Sequence, residues 1–265
     1  MQKNLYYRTV FRRRNAVKEA FYAFFLAFCS RPRLLLEVFL RRNLGQRYFS
    51  FSTAITLVVV LSILPMMMFS IQDMVLRGGG FYRRTGLSSF VVFLLSYGTW
   101  YAFLAAFLYF AIQRRDEITR LPSVFDFARF SLSTGDIHPA FYKVKIEGKP
   151  ADVRTIETLL EPGVAFGAGF VLFFILGQFV GGLLMLCGLC YSISYQAAYH
   201  NGDNFVMDRI DEMILNEEQV KAFVEGRTPD ETRGVNFRCR RPADPDLRRQ
   251  VVETFTEEDE PVEAY

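Results

Sequence analysis

The longest apolar pattern in this chain lies between Pro162 and Gly202, a stretch without Asp, Glu, Lys or Arg. Its centre, Gly163 to Tyr195, is 33 residues long. As one helix, at about 1.5 Å per residue, it would measure roughly 50 Å against a hydrocarbon core of about 30 Å. That is too long for one comfortable crossing and long enough for two short ones. Gln178, the strongly polar residue before Gln196, would sit at the costliest depth of a single helix, whereas at a hairpin tip it reaches the interface. Gly177, Gly181 and Gly182 supply the backbone freedom for a tight reversal. Gly163, Gly167 and Gly169 let the two arms approach closely. The pattern therefore predicts a helical hairpin with arms at about 159–176 and 179–197.

Two further apolar runs precede it, and neither contains a charge. The first, Phe51 to Ile71, holds Pro65, which removes a backbone donor and predicts a kink near Leu61–Pro65. The consecutive Met66, Met67 and Met68 point in three directions around a helix, which suits flexible packing better than a metal site. The second run, Leu87 to Ile112, carries Trp100 and Tyr101 near its middle, which suits helix contacts rather than an interfacial belt. Residues 72–86 between them read as a short external loop turning at Gly78–Gly80.

The remaining segments are amphipathic. Residues 15–30 and 33–42 read as two helices broken at Pro32. The second, Leu34 to Leu40 between Arg31, Arg33, Arg41 and Arg42, describes a helix lying in the interface or docked on membrane helices, with a re-entrant hairpin as the alternative. In 116–161, Leu121-Pro122-Ser123 starts a short helix bearing Phe125, Phe127 and Phe130. Phe141 to Glu147 alternates at period two before a Gly148-Lys149 turn. From Pro150 a helix runs through Val153, Ile156, Leu159 and Leu160, with Arg154 and Glu157 spaced to pair on its surface. Beyond it, Asn201-Gly202-Asp203-Asn204 reads as a helix start, and Val206, Ile210, Met213 and Ile214 recur at helical spacing. A shorter piece carries Val220, Phe223 and Val224, and another helix is expected at about 246–255. The proline-bearing acidic remainder reads as extended or disordered unless a partner orders it.

These patterns describe an all-α polytopic membrane protein. It has about four transmembrane helices plus interfacial amphipathic helices, a small cytoplasmic α+β loop and a helical, partly disordered C-terminal tail. The organisation follows: 1–50 basic and interfacial, 51–115 the first two transmembrane helices, 116–161 the loop, 162–200 the hairpin, 201–265 the acidic tail.

Charge orients this arrangement. Residues 1–50 carry 11 Lys/Arg against two acids, Glu19 and Glu37, while residues 196–265 carry 9 Lys/Arg against 17 acids. The basic end predicts a cytoplasmic N-terminus lying against anionic headgroups, and four crossings return the C-terminus to the cytoplasm, in a bacterial inner membrane. Arg12–Arg14 followed by Ala20–Cys29 imitates a signal peptide, but Phe28 is too large for a cleavage box before Cys29, so an uncleaved segment is expected. The same arginines alternate with membrane-like sequence, so no direct nucleic-acid binding is expected.

Candidate chemistry is sparse. Cys187 and Cys190, at i and i+3, have the spacing used in dithiol–disulfide exchange, but no neighbouring charge would lower a thiol pKa. Asp203, Asp208, Asp211 and Glu212 fit the polar face of a helix better than a cation loop. His138 and His200 lack ligand-spaced neighbours. No cofactor, metal or catalytic residue is expected. The apolar runs carry no Asp, Glu, Lys or Arg, which argues against coupled transport by a single chain. The sequence thus favours a non-catalytic integral subunit or anchor of a larger cell-envelope assembly, of secretion, conjugation or injection type. It would meet protein partners, or further copies of itself, through the Val206/Ile210/Met213/Ile214 face. A thiol oxidoreductase built on Cys187 and Cys190, or an oligomeric channel or transporter around the glycine hairpin, remain the alternatives.

Overall fold

A computed structural model describes residues 3–11, 16–77, 89–146 and 148–257. Apolar runs become helices because a backbone surrounded by lipid must satisfy its polar groups within the segment. The helices are α1 (Ala16–Leu40), α2 (Phe51–Arg77), α3 (Ser89–Arg120), α4 (Val153–Ile175), α5 (Phe179–Gln219) and α6 (Pro245–Glu253). Four of them, α2 to α5, are long and apolar enough to cross a membrane. Two small antiparallel ribbons complete the described chain: Lys3–Asn4 with Thr256–Glu257, and Lys145–Ile146 with Lys149–Pro150 around Gly148. The chain divides into two compact units, residues 22–198 and residues 1–21 with 199–265. The expected turn at Gly78–Gly80 and the acidic end from 258 onward lie outside the described residues, as does Glu147.

Two predicted boundaries are absent. Pro32 does not break a helix but lies inside α1. A proline in a helix interior costs about 3 kcal/mol. Immediately after it, however, Leu34, Leu35, Leu36 and Val38 are buried to 6% exposure or less, and each such side chain contributes roughly 1.5–3 kcal/mol. Packing overrides the local signal. Likewise Asn201–Asn204 does not start a helix, because α5 runs through it without a break for 41 residues. Gly202 costs a helix only about 1 kcal/mol, and no proline follows it to stop propagation.

Prolines inside the membrane helices have a specific remedy. Pro65 has no N–H to donate to the carbonyl of Leu61, and that oxygen instead accepts from Trp100 Nε1 at 2.9 Å. Tyr101 Oη donates to the next carbonyl, Ser62, also at 2.9 Å. Pro162 similarly lacks the donor that would face Thr158, whose carbonyl accepts from Ser192 Oγ at 2.6 Å. The mid-helix Trp100 and Tyr101 are thus helix-contact residues with a defined task.

Glycine permits the α4–α5 approach at only some of the anticipated positions. A Cβ on Gly169 would lie 2.7 Å from the Gly181 carbonyl oxygen, one on Gly181 would lie 2.4 Å from the Gly169 oxygen, and one on Gly188 2.9 Å from the Pro162 oxygen. Gly163 and Gly167, expected to act the same way, face open space.

In the unit formed by residues 1–21 and 199–265, Tyr7, Leu215, Phe223, Phe237 and Val252 make the core, with Tyr6 and Phe255 stacked on Phe237. Asn4, fully buried, ties the N-terminal strand to α5. Its backbone N–H donates to Glu212 at 2.6 Å and its side-chain amide donates to Asn216 at 2.6 Å. Burial, then the Asp208, Asp211 and Glu212 carboxylates, push the Tyr7 phenol up to about 12.

Candidate functional site

Three pairs of polar residues recur every four positions: Glu37 on α1 with Arg41 just past its end, where its N–H still bonds the Glu37 carbonyl, Glu157/Glu161 on α4 and Tyr191/Tyr195 on α5. Residues four apart share a helix face, so each helix presents a short polar stripe within an apolar surface. In the 22–198 unit these stripes converge. Arg41, fully buried, donates through Nη2 to Glu161 at 2.5 Å and to Glu157 at 3.0 Å, and through Nη1 to Tyr195 Oη at 2.7 Å. Tyr191 Oη donates to Glu161, itself fully buried. Tyr195 Oη donates onward to Glu37 at 3.0 Å, and Tyr48 Oη donates to the same carboxylate at 2.7 Å.

Arg33 closes the other end of the network. Its Nη1 donates to Ser194 Oγ at 2.8 Å and its Nη2 to Tyr48 Oη at 2.5 Å. Its Nε lies 3.1 Å from Glu37 yet is not aligned for a hydrogen bond, leaving an ion pair by distance alone. Burial, reinforced by Glu37, holds the Tyr48 phenol well above its ordinary range, so it serves as a neutral donor. Arginine suits this position because its planar fork serves several oxygens at once and stays charged in a low-dielectric site.

The cluster joins two guanidinium groups to three carboxylates. Isolated, any of these charges would cost several kcal/mol to bury; paired and hydrogen-bonded, they compensate one another. Glu157, expected to pair with Arg154 along the helix, is 8% exposed and also accepts from Arg41. A widened π turn over Ile156–Leu160 leads directly into Glu161. An open cavity of about 230 Å³ adjoins the network beside Ser30, Arg31 and Thr53.

The sequence-predicted residues are distributed as follows. Cys187 and Cys190 lie buried on α5 as free thiols, at 1% and 7% exposure. Cys190 has a further neighbour that spacing could not reveal, the fully buried Cys29 of α1. At Gly177 (φ 63°) the chain reverses between α4 and α5, and Gln178 N–H donates to the Leu172 carbonyl at 2.8 Å. Gln178 lies against the flank of α3. Its Oε1 accepts from Thr99 Oγ1 at 2.7 Å, ten residues inside that helix, and Phe179 stacks on Tyr97 nearby. Gly181 packs against α4, while Gly182 makes only ordinary contacts.

Val206, Ile210 and Met213 are about half exposed on α5, at 55%, 50% and 52%, whereas Ile214 is partly buried. His138 caps a single turn at Pro139–Tyr142, and His200 bonds Asn204 on its own helix at 2.9 Å. Among the described residues no group of three His, Cys, Asp or Glu side chains is placed to hold a metal ion.

The arginine–carboxylate–tyrosine network escaped the sequence reading because its charges flank apolar runs, where they resemble ordinary interfacial residues. The four-residue spacing of its pairs was the available signal. Four helices long and apolar enough to cross a membrane, two of them joined to α1 by a buried ionic cluster, define an all-helical, polytopic integral membrane protein. No protein family, curated protein or solved structure matches the chain.

Proposed function

We propose that the protein is a non-catalytic integral subunit of a larger cell-envelope assembly, of the secretion, conjugation or injection type. It would reside in a bacterial inner membrane with both termini cytoplasmic. One observation carries this reading. Val206, Ile210 and Met213, at i, i+4 and i+7 on α5, form an exposed apolar stripe, flanked by the exposed Phe205 and Met207. The core of their own unit is built from other residues, among them Leu215 on the opposite side of the same helix. An apolar helical face of this kind suits the helix-in-groove mode of protein recognition. The charge network supports a structural role, since its oxygens and guanidinium groups are engaged with one another.

The test is site-specific photocrosslinking from residues 206 and 213 in native membranes. A discrete protein adduct from both positions is expected. Lipid adducts alone, from a correctly inserted protein, would defeat the proposal. A dithiol reading has one observation in its favour, the proximity of Cys29 to Cys190, which offers Cys190 a neighbour besides Cys187. Alkylation with and without reductant distinguishes it, because thiols that stay reduced in native membranes exclude exchange chemistry.

A further inference from the structure

Between the end of α3 and Ser131, the chain displays three aromatic rings to its surroundings. Phe125, Phe127 and Phe130 are 87%, 97% and 71% exposed. Each ring offers about 150–250 Å² of apolar surface, so together they reach the size at which an exposed patch marks an interaction site. The projection is built, not frayed. Ser123 Oγ accepts from Phe125 N–H, Arg129 donates to the Leu44 carbonyl, and Phe127 is held at φ 53°, a conformation that a bulky residue rarely adopts.

Its base is fixed at a definite level. Gly45 N–H donates to the Ser133 carbonyl at 2.8 Å and Arg47 N–H to the Ser131 carbonyl at 2.9 Å. A few residues further on, the apolar stretch of α2 begins at Phe51, whose ring lies 4.9 Å from the Arg115 guanidinium at the charged end of α3. The loop is therefore seated where the apolar surfaces of α2 and α3 both end.

The charge beside it matches a bilayer surface. An open cavity of about 430 Å³ at the same end of α3 is lined by Arg42, Arg114 and Arg120, with Asp116 and Glu117. Arg114 is committed to Glu117 and to the Val38 carbonyl. The Arg42 and Arg120 guanidinium groups have no ion-pair partner among the described residues. Aromatic rings beside free arginines, at the edge of a hydrocarbon layer, are the composition of an interfacial anchor.

We propose that the Phe125–Phe130 loop inserts into the headgroup–acyl boundary of the same bilayer that α2 and α3 cross, at a leaflet whose anionic phosphates engage Arg42 and Arg120. The test places a fluorophore on the loop of the full-length protein. Cys239 is the exposed thiol and the other three are buried, so Phe127→Cys in a Cys239→Ser background takes a nitrobenzoxadiazole label at one position. Phe125→Cys in the same background provides a second reporter, and the Cys239→Ser parent is the blank.

In nanodiscs containing phosphatidylglycerol, the expected result is blue-shifted emission, quenched several-fold more by lipid carrying a shallow acyl-chain nitroxide than by aqueous iodide. Arg42→Gln with Arg120→Gln should reduce that quenching in anionic discs and leave it unchanged in phosphatidylcholine. Water-like emission quenched by iodide would overturn the proposal in favour of a free loop. Emission protected from both quenchers would overturn it in favour of a covering protein, either a partner or a second copy. Equal quenching in the two lipids, unaffected by the arginine replacements, would remove the phosphate contacts.

Discussion

Replacing Arg41 by methionine tests whether the buried network holds the membrane unit together. The substitution keeps much of the side-chain volume but removes the donors to Glu157, Glu161 and Tyr195. Glu161 is then left fully buried with Tyr191 as its remaining hydrogen-bond donor, and Glu157 loses its bond to Arg41. Removing one partner of a buried ion pair costs about 3–5 kcal/mol, because the other charge stays behind uncompensated. For a unit of this size each kcal/mol lowers the midpoint by about 2–4 °C, so the expected fall in Tm is about 6–20 °C. The three buried cysteines supply the assay. In a Cys239→Ser background, a fluorogenic maleimide reports the temperature at which Cys29, Cys187 and Cys190 become reactive. Adding Glu161→Gln should restore part of the loss, since it removes the stranded charge and leaves Tyr191 an acceptor. A midpoint for Arg41→Met close to that of the parent would refute the reasoning, as would a double variant that loses the full sum of the two single effects.

The same assay serves three other expectations. Trp100→Phe should cost about 1–3 kcal/mol by leaving the Leu61 carbonyl unsatisfied, and much less when combined with Pro65→Ala, because residue 65 then supplies its own N–H. Gly181→Ala should destabilise by about 1–3 kcal/mol, since its Cβ meets backbone at 2.4 Å, whereas Gly163→Ala, facing open space, should be neutral. Tyr7 gives a pH signature. Its phenol titrates near 10 when unfolded and at about 12 when folded, so the protonated ring's contribution is complete below pH 10 and is lost as pH rises from 10 to about 12. Hydrogen exchange over residues 3–11, corrected for its intrinsic base-catalysed rise, should lose protection in that window, and Tyr7→Phe should remove that excess.

Much of the architecture was legible because a membrane imposes a coarse code: length, absence of charge and glycine at the reversal. The α2, α3 and α4–α5 helices follow from it directly. What was not legible depended on long-range contacts. Pro32 is tolerated because Leu34 to Val38 bury themselves against neighbouring helices, which no local propensity encodes. Asn204 and Gly202 look like a helix start only if no helix is already arriving from the membrane. Arg41 and Glu161 stand 120 positions apart, each at the margin of an apolar segment, and read singly they are flanking charges. Only the recurrence of polar side chains every four residues on three separate helices marks them as inward-facing.

The reach of the α4–α5 hairpin connects this network to Gln178. From Glu161 to Ile175 the helix rises roughly 20 Å, less than the hydrocarbon thickness of about 30 Å. The polar cluster and the polar tip are thus separated along α4 by less than one hydrocarbon thickness. On the α3 scale the tip stands level with Thr99 and Tyr97, and a further run of α3 toward Ser89 extends beyond it. Backbone that leaves helical geometry at such a level must find its hydrogen bonds within the protein. It does so. Leu176 N–H donates to Val171, Gln178 N–H to Leu172, and Gly181 N–H to Gln178, while the Gln178 amide serves Leu176 and Thr99. The polar side chain at the reversal thus tethers the hairpin to α3. A glutamine fits this place because one amide both donates to a turn carbonyl and accepts from a neighbouring helix.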